Sequence, residues 1–362
     1  MKGGAVFPGA RKLGVIHDVP EPKLASATGV LLRMLQVGIC GTDREIASYM
    51  FGAAPDRFDY LVLGHEGLAE VIEAGPEAQG IEPGDLVVPT VRRPCEDPGC
   101  IACRNDRADF CTTGVYREHG IQRMHGFLTE LVVDEARYMR KAPPAIRDVA
   151  VLVEPLTIAE KAFIQAERVQ TRLPWEKPAP NALVLGAGPV GLLGAMALRL
   201  RGCAVTVYSR EPETDARAGI ARAIGANYVS GKAWKLAQMA KSIGNIDLIY
   251  EATGSAHLAF QALEVLGSNG LLILTGVPGA HAPEAIDLGS MITKMTLRNQ
   301  CLLATVNAGN DAFDRAISDL TEICARWPDA VQGLITRRFR LEEFETPLRD
   351  AAGIKSVVQI AL

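Results

Sequence analysis

The pattern of apolar and polar positions changes character part-way along the chain. Up to about residue 175, apolar residues come in short alternating or β-branched runs cut by turns, as in half-buried strands. Val30–Val37, Gly67–Ala74 and Asp85–Pro89 are such runs, with Glu82-Pro83-Gly84-Asp85 as a turn between two of them. The segment Leu173–Pro180 holds three prolines and reads as a linker. From Asn181 the texture differs. Apolar runs at Ala182–Leu185, Ala204–Tyr208, Ile246–Tyr250 and Leu271–Thr275 predict buried strands. Between them Val190–Arg201, Thr214–Ile224 and Ala256–Leu266 have helical spacing, and Gly202 and Gly225 stand where helices end. Strand and helix in alternation predict a doubly wound parallel sheet, an α/β fold. From about Asn307 the pattern is mixed again and ends in an expected strand, Ser356–Leu362, which should fold back on the first domain.

The first strand of the alternating region runs into Gly186-Ala187-Gly188-Pro189-Val190-Gly191 and then into a helix. In this setting Gly186 allows a tight turn, Gly188 lets backbone approach a pyrophosphate, and Gly191 permits close helix–strand packing. The helix N-terminus offers unpaired N–H groups and a positive dipole end to phosphate. The expected ligand is a dinucleotide.

Composition narrows the class. The 362 residues suffice for two domains, and 48% hydrophobic with 22% charged residues describes an ordered globular protein. A net charge of −4 argues against a nucleic-acid or anionic-membrane partner. The longest uncharged stretch, Ala182–Leu198, is glycine-rich and shorter than the ~20 apolar residues a membrane span needs. Met1–Pro20 carries no signal-peptide pattern, so a cytoplasmic location is expected.

Four of the eight cysteines, Cys95, Cys100, Cys103 and Cys111, crowd into one stretch. Four thiolates from one loop can close a tetrahedral zinc site with no open position, a structural one. Asp97, two residues nearer Cys100 than Cys95 is, competes for the fourth place. A second set is dispersed: Cys40 in Gly38-Ile39-Cys40-Gly41-Thr42-Asp43, His65 and Glu66 in Gly64-His65-Glu66-Gly67, and Glu154 in Val153-Glu154-Pro155. None of these fragments is distinctive alone. Together they supply thiolate, imidazole and carboxylate, the protein ligands of a catalytic zinc whose fourth position is left for water or substrate.

Taken in order, G-x-C-G-T-D, G-H-E-G, the four-cysteine lobe, V-E-P-L and G-A-G-P-V-G resemble the zinc-dependent medium-chain dehydrogenases over essentially the whole chain. Cys40–Ile46, Val91-Arg92-Arg93-Pro94, Glu118–Ile121, His125-Gly126-Phe127, Leu152–Leu156 and Thr305–Ala308 look most like the archaeal-type glucose dehydrogenases. The resemblance implies a GroES-like catalytic domain at 1–178, completed by 307–362, and a Rossmann domain at 179–306, with a cleft between them. It implies a catalytic zinc on Cys40, His65 and Glu154, with Glu66 as a nearby or alternate ligand. Glu118 and Asn307 would meet sugar hydroxyls, and Thr42 would pass on the proton. Pro189, Val190, Thr253, Val277 and Asn307 join the glycines at the cofactor. Where alcohol dehydrogenases end their proton relay on a histidine this chain has Glu45, so the end of the relay is open.

The expected reaction is hydride transfer from C1 of an aldose, glucose foremost, to NADP⁺ or NAD⁺, with two zinc ions per chain in a homodimer or homotetramer. No carboxylate stands at the immediate end of the Ala204–Tyr208 strand. Ser209 and Arg210 follow instead and suit a 2′-phosphate, while Glu211 keeps NAD⁺ open. Other alcohol, polyol or threonine dehydrogenases share the metal set, and a non-catalytic dinucleotide-binding relative would be free to lose it.

Overall fold

In the computed structural model, which describes residues 1–279, 283 and 285–361, the Gly29–Ile39 strand is the spine of a seven-stranded sheet. Glu66–Ala74 pairs along one side of it, and Lys355–Gln359 and Leu131–Glu135 share the other. The spine does not alternate cleanly in burial, because Met34, Leu35, Val37 and Ile39 are all covered. The C-terminal strand is laid antiparallel on the spine, with Ser356 opposite Ile39. It is shorter than the expected Ser356–Leu362, ending at Gln359, and Leu362 lies outside the described residues.

The chain divides into two compact units. The first comprises Met1–Thr157, Asn307–Thr321 and Leu334–Leu362. The second comprises Ile158–Val306 and Glu322–Gly333. The first break falls inside the helix Val153–Gln170, where the sequence pattern had predicted β-structure. Its proline, Pro155, lies in the first turn, where backbone N–H groups have no intrahelical partner and proline costs little. The Leu173–Pro180 segment belongs to the second unit, and Asn181 N there donates to Asp247 Oδ2 at 2.7 Å.

The second unit holds a six-stranded parallel sheet whose inner strands are Asn181–Leu185, Ala204–Ser209, Leu248–Glu251 and Leu271–Leu274. Leu183, Val184, Ile249, Tyr250, Leu271 and Leu272 are fully buried. Helices covering both faces make such strands continuous apolar runs. Two element boundaries moved. The helix expected from Thr214 begins at Ala216, because Asp215 caps it by accepting from Arg217 N. The strand expected from Ile246 begins at Leu248, although Asp247 N already donates to Asn181 O at the start of the neighbouring strand. Gly202 and Gly225 each follow a helix end in left-handed conformation, φ +76° and +74°. No helix of the described residues is long and apolar enough to cross a membrane.

Candidate active site

The pairing of Gly38 with Glu66 sets the geometry of the site. The spine strand ends at Ile39, one residue before Cys40, and the Glu66–Ala74 strand begins one residue after His65. A Cys40 Sγ, a His65 ring nitrogen and a Glu66 carboxylate oxygen therefore fall within 4.8 Å of one another. Glu154, near the start of its helix, stands outside that trio but close enough for His65 and Glu66 to act on its charge. Burial pushes its carboxyl up to about 7, with His65 opposing and Glu66 adding to the shift. Thr42 lies beside the thiol, its Oγ1 3.8 Å from Cys40 Sγ.

Two residues outside the expected set hold the trio in place. Asp43, fully buried, accepts from Cys40 N at 2.8 Å and Gly64 N at 3.3 Å. Its Oδ1 also faces His65 Nδ1 at 3.3 Å, an electrostatic contact without the alignment of a full hydrogen bond. That leaves the other ring nitrogen without a claim from Asp43, the usual arrangement behind a metal-binding histidine. Lys355 is buried as well, its Nζ 2.6 and 2.5 Å from the two Glu66 oxygens and donating to Ile39 O at 3.2 Å. Burial works against its charge, but Glu66 and Cys40 hold the ammonium above its ordinary range. Asp43 was legible in its motif and went unassigned, whereas nothing in the sequence pointed to Lys355.

Thiol, imidazole and carboxylate donors gathered within 4.8 Å and mostly buried suit a divalent ion that accepts sulfur, nitrogen and oxygen ligands. The glycines around the site divide in their reasons. A Cβ on Gly38 would lie 2.0 Å from Glu66 Oε2, and Gly64 has φ +88°. Gly41 faces open space, so close packing does not require it.

The four lobe cysteines also gather within 4.8 Å. Cys95 Sγ lies 3.6 Å from Cys103 Sγ, and Cys100 Sγ lies 3.9 Å from Cys111 Sγ. With zinc–sulfur bonds of about 2.3 Å, the edges of a tetrahedron measure about 3.8 Å. Asp97 does not join them; its Oδ1 accepts from Gly99 N at 2.7 Å. Backbone N–H groups of Cys103 and Thr112 lower the Cys100 thiol, which favours the ligating thiolate.

Glu118 and Asn307, distant in sequence, are in contact. Asn307 Nδ2 donates to Glu118 Oε1 at 2.9 Å, and Asn307 sits in a left-handed conformation, φ +60°. In the second unit the phosphate turn has the expected form. Gly186 has φ +103°, a Cβ on Gly188 would meet nothing within 4 Å, and one on Gly191 would lie 2.2 Å from Gly186 O. Pro189 and Val190 open the helix Pro189–Leu200. Thr253 N donates to Glu251 Oε1 at 2.6 Å, and a Cβ on the adjacent Gly254 would lie 2.8 Å from Val277 O, so these two turns pack backbone against backbone. Val277 itself is exposed. Past the second strand, Glu211 bonds Ser209 Oγ through Oε2 and accepts from Arg210 Nε at 3.2 Å through Oε1.

Residues 26–144 match the alcohol dehydrogenase GroES-like domain, and residues 147–360 match the glucose dehydrogenase C-terminus. A glucose 1-dehydrogenase of Methanocella arvoryzae is 39% identical over 362 residues, with 99% of each chain covered. One from Thermoproteus tenax is 40% identical over 350 residues, with 95% of each covered. The chain belongs to the glucose dehydrogenase family. Among solved structures, Haloferax mediterranei glucose dehydrogenase in complex with NADP, Zn and gluconolactone superposes with a TM-score of 0.89 at 32% identity, covering 100% of both chains. For this glucose dehydrogenase family member, the full-length match spans the four-cysteine lobe, the Cys40–His65–Glu66 cluster and the phosphate turn alike.

The closeness of Gly38 to Glu66 has a measurable consequence. Gly38→Ala should displace the Glu66 carboxylate and destabilise the protein by roughly 1–3 kcal/mol, the usual cost of overpacking. Urea unfolding measures this, and a variant as stable as the parent would contradict the close approach.

Proposed function

We propose that this chain is a zinc-dependent glucose 1-dehydrogenase that oxidises glucose to gluconolactone with NADP⁺. The observation that carries the reading is the convergence of Cys40, His65 and Glu66 within 4.8 Å, next to Glu154. The relatives named glucose 1-dehydrogenase and the Haloferax complex support it. Cys40, His65 and Glu154, with Glu66 as alternate, would hold one zinc; Cys95, Cys100, Cys103 and Cys111 would hold the other.

Bound at the first site, zinc supplies a Lewis acid that favours loss of the hydroxyl proton at neutral pH. Thr42, whose Oγ1 lies beside Cys40, would take up that proton and pass it on. Glu118 and Asn307 bind sugar hydroxyls and orient the ring. NADP⁺ supplies the hydride acceptor. The open face at Gly188 and the free N–H groups that follow it receive the pyrophosphate. Ser209 and Arg210, both bonded to Glu211, would meet the 2′-phosphate. Thr253 and Val277 border the cofactor.

The working form is a homodimer or a pair of dimers, joined through the free edge of the parallel sheet. Among the described residues the Cys301–Ala304 strand pairs on one side only, with Leu271–Leu274. Leu302 on it, and Ile292 and Leu297 on the helix before it, are 45%, 59% and 79% exposed. An open edge flanked by exposed apolar side chains is a liability in a monomer and a surface for a symmetric copy. Cysteines gathered for a metal accord with a reducing, cytoplasmic setting.

Three measurements test these statements. The purified protein should contain two zinc ions per chain and reduce NADP⁺ with glucose, as the two thiol-bearing clusters imply. Cys40→Ser should lose one zinc and all turnover while staying folded; Cys103→Ser should lose the other and unfold more easily, since a structural zinc contributes folding free energy. Full turnover by metal-free protein would refute the zinc chemistry.

For the cofactor, Arg210→Ala should lower kcat/KM for NADP⁺ by roughly tenfold and leave NAD⁺ nearly unchanged, the scale of one lost charge-assisted hydrogen bond. Equal losses with both cofactors would remove Arg210 from the 2′-phosphate site.

For assembly, light scattering should return at least twice the chain mass, and Leu302→Lys should reduce it. A monomeric parent protein would end the edge-pairing proposal.

A further inference from the structure

The Val91-Arg92-Arg93-Pro94 segment contains two adjacent arginines that the proposed chemistry has not used. They form a two-residue strand antiparallel to Arg117–His119, with Arg92 opposite Glu118. Successive side chains of a strand point to opposite faces, so the two guanidiniums serve different surroundings.

Arg93 is consumed by the scaffold. It pairs with buried Asp134, donates to Thr90 O at 3.0 Å and lies 3.9 Å over the Tyr138 ring. Asp134 is shared with His119, whose Nε2 stands 3.1 Å away. Arg92 differs. Its side chain is only 7% exposed, its Cζ lies 3.6 Å over the Tyr116 ring, and its one carboxylate partner among the described residues is Glu118. Arg92 Nε donates to Glu118 Oε1 at 2.9 Å, the same oxygen that Asn307 Nδ2 reaches at 2.9 Å. Glu118 Oε2 makes no hydrogen bond among the described residues. The carboxylate is thus held by one oxygen, with two donors on it, and presents the other as a fixed acceptor.

We infer that Arg92 is the positioning residue that turns Glu118 into a one-oxygen acceptor for a single sugar hydroxyl, so that discrimination at that hydroxyl depends on Arg92. The inference rests on the reading of Glu118 as a sugar-binding residue. A planar guanidinium suits the task because it stacks on Tyr116 and directs its Nε–H at Oε1 at once. A lysine ammonium has neither the flat face nor the fixed donor direction. Asn307 supplies the second donor but no charge, so it cannot stand in for the counter-ion.

The test compares Arg92→Met, Arg92→Lys, Glu118→Gln and the double variant Arg92→Met/Glu118→Gln in the full-length holoenzyme, on glucose and on its 2-, 3-, 4- and 6-deoxy analogues. Arg92→Met should raise KM for glucose roughly tenfold or more, with KM for NADP⁺ unchanged. One deoxy sugar, the one that lacks the hydroxyl facing Glu118, should be nearly insensitive to the substitution. The double variant should lose little beyond Glu118→Gln alone, because residues acting as a unit are not additive. Arg92→Lys should restore less than half of the loss. Arg93→Met is the structural comparator, and should lower the thermal midpoint without distinguishing among the sugars.

Additive losses in the double variant, equal losses on every sugar, or full rescue by lysine would overturn the role of Arg92. If Glu118→Gln by itself leaves KM for glucose unchanged, the sugar-binding reading of Glu118 fails instead. Should Arg92→Met not fold, Arg92→Gln carries the same comparison.

Discussion

The ion pair between Lys355 and Glu66 is the contact on which the candidate metal centre depends. Both side chains are almost wholly buried, at 3% and 1% exposure. Ions removed from water are strongly destabilised unless each meets a partner and its remaining polar atoms are bonded. Glu66 meets Lys355, and Lys355 also donates to Ile39 O. Asp43 plays the complementary part, accepting from Cys40 and Gly64 and facing His65. With those charges compensated, buried His65 and half-buried Cys40 are held with donor atoms available. The strand register enforces it, since a shift of one residue would turn Glu66 to the other face of the sheet.

Backbone crowding makes this register exclusive. Gly38 leaves room for the Glu66 carboxylate, while Gly120 and Gly126 lie so close to Gly64 O that a Cβ on either would come within 2.5 and 2.3 Å of it. The turn before His65 is thereby packed against the segment that follows Glu118. Metal donors and sugar-binding candidates are therefore built on one rigid piece of the first unit, and substitutions in one group should be felt by the other. The dinucleotide elements of the second unit show the same economy, with Gly191 packed on Gly186 and Gly194 on the Tyr250 ring.

Legibility in the sequence followed distance along the chain. The four-cysteine lobe could be read directly because its donors lie within one short loop and need only local chain reversal. The phosphate turn was equally plain, since strand, turn and helix are consecutive. The dispersed metal set was visible only as fragments, indistinct singly, whose residue types together suggested a catalytic zinc and whose order resembled a family. Arg92 was quoted as part of a motif but had no role until Glu118 was found opposite it. Lys355 had no signal at all, because its partner is 289 positions away. The helix Val153–Gln170 was missed because Pro155 and a buried apolar start disguised its period.

By itself, then, the sequence determined the α/β alternation, the helix ends at Gly202 and Gly225, the dinucleotide turn and the thiol lobe. Each depends on dihedral preferences and contacts among near neighbours, which residue identity and spacing encode directly. Only the tertiary structure decided that Glu66 rather than Glu154 stands within the Cys40–His65 trio, that Lys355 supplies the counter-charge, and that Arg92 and Asn307 converge on one oxygen of Glu118. Those outcomes depend on strand register and on which charges are buried together, and both arise from long-range packing that no local pattern contains.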